Sequence, residues 1–154
     1  MGTQVGVISD THSLLRPEAI AALEGADLIL HAGDIGKLEV LEELKAIAPV
    51  IAVRGNNDRG DWAAAIPERE TVKIEQVSVH VLHIVRELNL DPKMTGVRVV
   101  VSGHSHQPKI EAREGVLFLN PGSAGPRRFK LPISVAWLHI EGAVVQAEIV
   151  ELTV

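Results

Sequence analysis

The sequence predicts an α/β fold in which two β-sheets pack face to face and helices flank them, and two observations indicate it. Between residues 5 and 53, strand-like and helix-like segments alternate, whereas from Thr71 onward the pattern consists mostly of short strands. Alternation predicts parallel strands connected by helices, and the later run predicts consecutive hairpins in a second sheet. The 154 residues contain no internal repeat or linker-like stretch, so we expect one domain spanning residues 1–154.

In the first half, short apolar runs predict strands and amphipathic stretches predict helices. Pro17 favours the start of one helix, and Pro49 ends the next helical stretch. The predicted strands cover 5–9, 28–30 and 50–53, and the predicted helices cover 18–24 and 38–47. This order places the carboxyl ends of three parallel strands at one edge of a sheet, where ligands bind in open α/β folds.

The second half is predicted to be almost entirely strand, because β-branched runs alternate with turn residues. Glu114-Gly115 and Glu141-Gly142 predict hairpin turns. A short helix fits only within 86–94, where Pro92 interrupts it. The predicted strands cover 71–74, 77–84, 97–101, 109–113, 116–119, 133–139 and 144–151.

Composition argues against several classes of function. A net charge of −5 and a pI near 5.8 give no attraction for nucleic acid, and two Trp, two Phe and no Tyr offer no stacking surface for bases. The lack of cysteine removes disulfides and thiolate metal ligands and is typical of a reducing compartment. Neither a signal peptide nor an apolar run of about 18 residues is visible. We therefore expect a soluble, cytoplasmic protein with no membrane or nucleic-acid partner.

Polar clusters stand at the ends of five predicted strands. After Val97–Val101, Gly103 permits a turn and is followed by two histidines separated by one residue, which in extended chain point to one side. Together the clusters supply the nitrogen and oxygen donors that two divalent ions need, and a carboxylate such as Asp34 can bridge them with its two oxygens. The candidate metal ligands are Asp10, His12, Asp34, Asn56, His83, His104 and His106.

Each of these residues alone has a simpler interpretation. Asp10 is a reasonable helix cap, Asp34 and Asn56 are reasonable turn residues, and His83 is a reasonable core histidine. The metal-site hypothesis is favoured because five independent coincidences would otherwise be required.

The remaining histidines and the tryptophans are weaker candidates for the site. His31 is interpreted either as a donor that orients a carboxylate, which we favour, or as a strand residue. His80 has the opposite strand parity to His83, so the two should not face the same site. A structural role is expected for His139, and a core or interface role for Trp62 and Trp137.

In this order, the motifs resemble those of the calcineurin-like metallophosphoesterases, in particular the small bacterial and archaeal phosphodiesterases of the YfcE/MJ0936 type. The resemblance covers most of the chain and implies a four-layer αββα sandwich with two β-sheets at its centre. The matching stretches are Ile8-Ser9-Asp10-Thr11-His12, His31-Ala32-Gly33-Asp34-Ile35, Val53-Arg54-Gly55-Asn56-Asn57-Asp58, Gly103-His104-Ser105-His106 and Asn120-Pro121-Gly122-Ser123.

The resemblance implies a dinuclear centre that hydrolyses a small phosphate ester, with a diester preferred, through a hydroxide bridging the two ions. It assigns one ion to Asp10, His12, Asp34 and His106, and the other to Asp34, Asn56, His83 and His104. Asp34, Asn56 and His104 are expected to be catalytic as well. Mn²⁺ is the expected metal, while Mg²⁺, Fe, Ni²⁺ and Zn²⁺ are chemically allowed. The stretch beginning at Asn120 is expected to shape the adjoining loop.

Two positions depart from the family pattern. Ile84 stands where the family usually has Gly after the aligned histidine, which makes His83 the least secure ligand. Larger relatives have a Gly-Asn-His-Glu motif whose His assists the leaving group, but here the motif is Gly55-Asn56-Asn57-Asp58. Asp58 is interpreted as orienting a ligand or water and not as the missing acid. Substrates with good leaving groups should therefore turn over best.

Two further questions stay open from the sequence. Arg54, Arg127 and Arg128 either contact the phosphate or belong to solvated loops. The alternative function is that of a weakly active or inactive metal-binding scaffold for protein interactions, as in the retromer subunit that shares this fold. Self-association into a homo-oligomer is compatible with either function.

Overall fold

The computed structural model describes residues 2–154 and contains ten strands and four α-helices within them. The helices are α1 (Pro17–Ala22), α2 (Leu38–Lys45), α3 (Asp61–Ala64) and α4 (Pro92–Thr95). The strands are β1 (Thr3–Ile8), β2 (Leu28–His31), β3 (Val50–Ala52), β4 (Arg69–Ile74), β5 (Val77–Leu82), β6 (Val97–Val101), β7 (Lys109–Arg113), β8 (Val116–Asn120), β9 (Ser134–Glu141) and β10 (Val144–Glu151).

The first sheet has the order β10-β9-β1-β2-β3. The three strands from the alternating half, β1, β2 and β3, are parallel to one another, as the sequence predicts. The hairpin of β9 and β10 adds antiparallel strands on the other side of β1, and its turn lies at the predicted Glu141-Gly142 position.

The second sheet has the order β4-β5-β6-β8-β7 and corrects one sequence expectation. Consecutive hairpins were expected throughout the second half, but β5, β6 and β8 are parallel to one another. A parallel neighbour needs a crossover connection, and here residues 83–96 and the strand β7 provide it with little helix. The β4–β5 and β7–β8 pairs are the hairpins that remain, the second turning at Glu114-Gly115 as predicted.

Two apolar layers hold the sheets and helices together. Between the sheets, alternate residues such as Val5, Val7, Val79, Val99 and Leu138 form a buried core. A second core lies on the outer face of the first sheet. Helices α1 and α2, together with the residue that follows α1, contribute the buried side chains of Ala19, Leu23, Val40, Leu41 and Leu44 to it. The expectation of two packed sheets flanked by helices is therefore confirmed.

The outer face of the second sheet has a thinner cover. There Leu82, Val97, Val100 and Val116 pack with Leu88 and Leu90 from the crossover segment. The short helix predicted within 86–94 is a 3₁₀ turn at Val85–Glu87 followed by α4, which begins at Pro92. Helix α3 was not predicted, since its four residues are too few for a periodic pattern. Among the described residues, no helix is long and apolar enough to cross a membrane.

Candidate metal centre

The predicted ligands lie on loops that follow strands β1, β2, β3, β5 and β6. Backbone hydrogen bonds join these loops: Asp10 N–H donates to the Gly33 carbonyl at 3.0 Å, and His12 N–H donates to the Asp34 carbonyl at 2.9 Å. Gly103 N–H donates to the His83 carbonyl at 2.9 Å, which joins the loops after β5 and β6 of the second sheet in the same way. The topology thus brings together strand ends that are far apart in the sequence.

Six of the predicted side chains form two groups of potential metal ligands. Asp10, His12 and His106 make one group, and Asp34, His83 and His104 make the other, with the ligand atoms of each group all within 4.8 Å of one another. Carboxylate oxygens and imidazole nitrogens are suited to ions such as Mn²⁺, Fe²⁺ and Zn²⁺. Each group falls within one of the two ligand sets that the sequence resemblance implies, and the assignment of these residues as ligands stays a prediction.

The two carboxylates lie between the groups. Asp34 Oδ2 is 3.6 Å from His12 Nε2 and 3.2 Å from His83 Nε2. Asp10 Oδ1 is 3.4 Å from His106 Nε2, but 3.8 Å from both His12 Nε2 and His83 Nε2. Asp34 therefore approaches the histidines that belong to different groups more closely than Asp10 does.

Several buried polar atoms at this point have no hydrogen-bond partner. They are Asp10 Oδ1, His12 Nε2, His83 Nε2 and His106 Nδ1. Asp10 is fully buried, and its other oxygen, Oδ2, accepts from Ser9 Oγ at 2.7 Å and from His104 N–H at 3.0 Å. Buried polar groups are almost always paired, so unpartnered oxygen and nitrogen atoms that face one another fit a cation.

His83 is oriented by the backbone. Its Nδ1 lies 2.8 Å from the Ala32 carbonyl oxygen, which can only accept, so Nδ1 carries the proton. This hydrogen bond leaves Nε2 directed toward Asp34 and available to a metal ion. The ring of His83 also meets that of His104 edge to face at a centroid distance of 5.2 Å.

In the loop after β3, the residue that contacts Asp34 is Asn57, whereas the predicted ligand is Asn56. Asn57 holds Asp34, because its backbone N–H and its side-chain amide donate to the two carboxylate oxygens, each at 3.0 Å. Asn56 is exposed and lines a cavity together with Arg54, His83 and Ile84. Its assignment as a ligand stays a prediction.

Asp58 fastens two of the site's loops to each other. The buried carboxylate accepts three backbone N–H groups: Gly55 at 2.8 Å, Gly36 at 2.9 Å and Ile35 at 3.1 Å. Both of its oxygens are thus engaged with the backbone of the loops after β2 and β3. The arrangement agrees with the expectation that Asp58 is not an acid catalyst.

The backbone is strained at the predicted ligands. Left-handed φ angles are uncommon outside glycine, and such outliers concentrate at functional sites. Of the seven predicted ligands, five adopt positive φ: Asp10 (56°), His12 (45°), Asp34 (54°), His104 (72°) and His106 (62°). This concentration is independent support for a functional site at these strand ends.

Two glycines allow loops to approach the carboxylates closely. A Cβ at Gly103 would lie 2.0 Å from Ser9 Oγ and 2.6 Å from Asp10 Oδ2. A Cβ at Gly55 would lie 2.1 Å from Asp34 Oδ1. Any other residue at these positions would push a carboxylate out of place.

Electrostatics keep both carboxylates ionised. Burial by itself would raise the pKa of Asp10, but the close approach of His106, the charge of His83 and the Ser9 hydroxyl together lower it. Burial also opposes ionisation of Asp34, yet His83 and the hydrogen bonds from Asn57 hold its pKa far below its usual range. The site therefore presents two anions that can bind cations at neutral pH.

The pKa values of two histidines shift in opposite directions. For His83, burial lowers the pKa, but the contact with Asp34 and the charges of Asp10 and Asp34 outweigh burial and raise it. For His104, burial and the charge of His83 lower the pKa, as does the more distant charge of Arg86. His104 is thus readily neutral and able to donate a lone pair.

The structure corrects the role favoured for His31. Its side chain is fully buried and does not hydrogen-bond to a carboxylate: Nδ1 accepts from Gly33 N–H at 3.1 Å, and Nε2 lies 3.1 Å from Thr11 Oγ1. These two contacts join the ring to the loops after β1 and β2. His31 stabilises those loops, and burial lowers its pKa to about 4.

The other weak candidates lie in different surroundings. His80 contacts Thr71 Oγ1 at 2.7 Å and faces away from the core residues Val79 and Val81, as its parity predicts. His139 contacts Gln4, Glu148 and Trp137, and Trp62 packs beside the core under the helices.

The arginines proposed as phosphate ligands have partners of their own. Arg54 is paired with Glu68 at 3.0 Å and donates to the Ile66 carbonyl at 3.0 Å. Arg127 donates to the Leu131 carbonyl at 3.5 Å, and Arg128 is exposed. A phosphate contact by any of the three stays a prediction.

The stretch that begins at Asn120 supports the loop after β6, which carries His104 and His106. Asn120 Nδ2 donates to the Gly103 carbonyl at 2.9 Å and to Ser105 Oγ at 3.1 Å, and its Oδ1 accepts from Gly122 N–H at 2.9 Å. Ser123 Oγ donates to the Asp10 carbonyl at 3.1 Å. These contacts agree with the loop-shaping role expected for this stretch.

The chain is similar to known proteins over most of its length. Residues 3–143 match the sequence model of the calcineurin-like phosphoesterase superfamily domain. The chain is 39% identical over 161 aligned positions to a protein named probable metallophosphoesterase from Methanothermobacter thermautotrophicus, with 95% of this chain and 91% of that protein covered. It is 30% identical over 138 positions to phosphodiesterase MJ0936 from Methanocaldococcus jannaschii, with 77% of this chain and 82% of that protein covered.

The fold also resembles that of a protein with a different name. Vps29 from Chaetomium thermophilum superposes with a TM-score of 0.79 over 98% of this chain and 97% of that chain, at 18% identity. At this identity the likeness concerns the fold alone.

Proposed function

The chain belongs to the calcineurin-like phosphoesterase superfamily, and from that premise we propose that it is a phosphodiesterase that depends on two divalent metal ions. The observation that carries the proposal is that Asp10 Oδ1 and the Nε2 atoms of His12 and His83 are buried and have no hydrogen-bond partner, although each Nε2 lies 3.8 Å from that oxygen. His106 Nε2 lies 3.4 Å from the same Asp10 oxygen. A diester preference is supported by the relative named as a phosphodiesterase.

In this proposal the two ligand sets share Asp34. Asp10, His12 and His106 hold one ion, His83, His104 and Asn56 hold the other, and Asp34 contributes to both. When bound, the ions supply Lewis acidity that lowers the pKa of a water and offsets charge on the phosphoryl oxygens. Mn²⁺ is the first metal to test.

Hydrogen bonds within the chain already orient three of the proposed ligands. Ser9 and the His104 N–H fix one oxygen of Asp10, and Asn57 fixes Asp34, so that both carboxylates are oriented before a metal arrives. The Ala32 carbonyl fixes the tautomer of His83. Held in this way, the ligands give up little conformational freedom on binding.

The lack of a histidine at Asn57 or Asp58 affects the choice of substrate. Asn57 is an amide with no acidic proton, and both oxygens of the Asp58 carboxylate accept from backbone N–H groups. A leaving group that is stable as an anion needs no proton at departure. Nitrophenyl esters should therefore turn over faster than phenyl esters.

The test is hydrolysis of bis-p-nitrophenyl phosphate by metal-stripped protein that is titrated with Mn²⁺. We expect turnover to appear with metal and to fall at least about 100-fold in the His104→Ala and Asp34→Asn variants, because a lost ligand costs more than a lost supporting contact. His139→Ala is the matched control, since His139 contacts Gln4, Glu148 and Trp137 instead of the site. Turnover without metal, or equal turnover in all four proteins, would contradict the proposal.

A scaffold function would give a distinct result. Two bound ions and no turnover with any divalent metal would favour the metal-binding scaffold, a function suggested by Ile84 at the position where the family usually has Gly.

A further inference from the structure

A cavity of about 340 Å³ opens directly beside the candidate metal centre. One wall is formed by Gly103 and His104, and another by Ile84 and Val85, which begin the crossover segment. The floor is formed by Phe118 and Leu119 of strand β8. A volume of this size is at the lower end of the range for small-molecule sites and is large enough for an organic group beyond the phosphate itself.

The cavity is cationic although the chain as a whole is acidic. Arg86, Lys109 and Arg113 line it, and Glu111 is the carboxylate among its lining residues. Glu111 pairs with Lys109 at 3.1 Å and with Arg113 at 3.4 Å, so its single charge is shared between two cations. The surplus of positive charge beside the site opposes the repulsion that a net charge of −5 would exert on an anionic ester.

Arg86 differs from the other two cations. It is exposed on the 3₁₀ turn at the cavity's rim, and it has no ion-pair partner in the described part of the chain. Arg113, by contrast, lies over the ring of Phe118, with its guanidinium carbon 4.1 Å from the ring centroid. Arg86 is therefore the cation with hydrogen-bond donors free for a ligand, and guanidinium groups bind phosphoryl oxygens in a bidentate manner.

We propose that this cavity is a subsite for the organic arm of an anionic phosphodiester, and that Arg86 binds the substrate's charge at its rim. The proposal rests on the proposed function, because the scissile phosphate must lie next to His104. Apolar side chains from Ile84, Val85 and Phe118 contact the body of the arm, and Arg86 takes the role that sequence analysis considered for Arg54, Arg127 and Arg128. The substrate class is a diester with one large, partly apolar arm of about the size of a nucleoside.

The test compares two diesters that release the same leaving group, p-nitrophenolate. The p-nitrophenyl ester of thymidine 5′-monophosphate has a large arm, and methyl p-nitrophenyl phosphate has a small one. With Mn²⁺-loaded protein we expect kcat/KM to favour the thymidine ester by about tenfold or more, through a lower KM. Arg86→Gln should raise KM about tenfold for both diesters, because both carry the phosphate charge that Arg86 binds. Val85→Trp should reduce the preference by filling the cavity.

Arg98→Gln is the matched control. Arg98 is also an exposed arginine, but it lies on β6 and its guanidinium donates to the Ala143 carbonyl at 3.5 Å, away from the cavity's lining. The control should leave the preference unchanged. Equal kcat/KM for the two diesters, a preference that Val85→Trp does not alter, or an unchanged KM in Arg86→Gln would overturn the subsite while leaving the proposed function standing.

Calorimetry separates the subsite from hydrolysis, because binding can be measured without turnover. Thymidine 5′-monophosphate should bind to the Mn²⁺-loaded protein more tightly than inorganic phosphate does. Val85→Trp should reduce that difference, whereas Arg86→Gln should weaken the binding of both ligands. If the nucleotide binds more tightly than phosphate in this way but the protein hydrolyses neither diester, the result would support the subsite and contradict the proposed function. Equal affinity for the nucleotide and for phosphate would overturn the subsite.

Discussion

Replacement of His31 by Gln should change how the stability of the fold depends on pH. The neutral ring satisfies both of its nitrogens: Nδ1 accepts from Gly33 N–H, and Nε2–H donates to Thr11 Oγ1, whose own proton goes to the Ile35 carbonyl at 2.8 Å. A second proton on the ring would be at Nδ1. It would then face the Gly33 N–H, so that two donors would oppose each other and the hydrogen bond would be lost. Together with complete burial, this explains why protonation of the folded protein is unfavourable.

The size of the effect follows from the two pKa values of His31. Burial lowers the pKa from 6.5 to about 4 in the folded protein, so between these values the unfolded chain binds a proton that the folded protein does not. The free energy of unfolding therefore falls as the pH falls, by up to about 1.4 kcal/mol per pH unit and by about 3 kcal/mol in all.

The assay is urea denaturation of chelator-treated wild-type protein and His31→Gln at several pH values, followed by tryptophan fluorescence. Their difference in free energy of unfolding should shrink by about 2 kcal/mol between about pH 6.5 and pH 5, because only the wild type has the penalty. The opposite effect of His83, whose raised pKa adds stability below about pH 6.5, is common to both proteins and cancels. Parallel curves for the two proteins would refute the reasoning.

Three further predictions concern the site and its supports. Gly103→Ala should lower the free energy of unfolding by about 1–3 kcal/mol, measured by thermal denaturation, since its Cβ would overlap Ser9 Oγ; an unchanged midpoint would contradict the packing described. Asp58→Asn should cost about 1.5–3 kcal/mol in urea denaturation, because an amide cannot accept all three N–H groups as a carboxylate does; full stability would show that the two loops hold without it. Metal affinity should weaken more than tenfold between about pH 7.5 and pH 5.5 by calorimetry, because protons compete at His83, whose pKa is raised; pH-independent affinity would exclude His83 as a ligand.

The strand ends of the site could be predicted because their signals are local. A β-branched run that ends in glycine and is followed by Asp or His marks a strand end with polar donors, and parallel strands bring such ends to one edge. The supporting contacts are not local: His104 and Asp10 are separated by 94 residues, and Asn57 and Asp34 by 23. Pairing at these separations leaves no period in the sequence, so the role of Asn57 was missed.

Ser9 is an intermediate case. It was placed in the first strand, and its position next to Asp10 was a signal that could have suggested a hydroxyl contact to the carboxylate, which the structure contains at 2.7 Å. The parallel pairing of β5, β6 and β8 left no such signal, because the crossover at residues 83–96 has too little helix to indicate one.

The stoichiometry of metal binding tests the central claim most directly. Metal-stripped protein would be dialysed against Mn²⁺ and its bound metal measured by mass spectrometry, beside the His106→Ala and His104→Ala variants. The proposal predicts two ions per wild-type chain and one ion fewer in each variant, since the two histidines belong to different ligand groups. Fewer than two ions in the wild type, or the same metal content in all three proteins, would contradict a dinuclear centre at these residues.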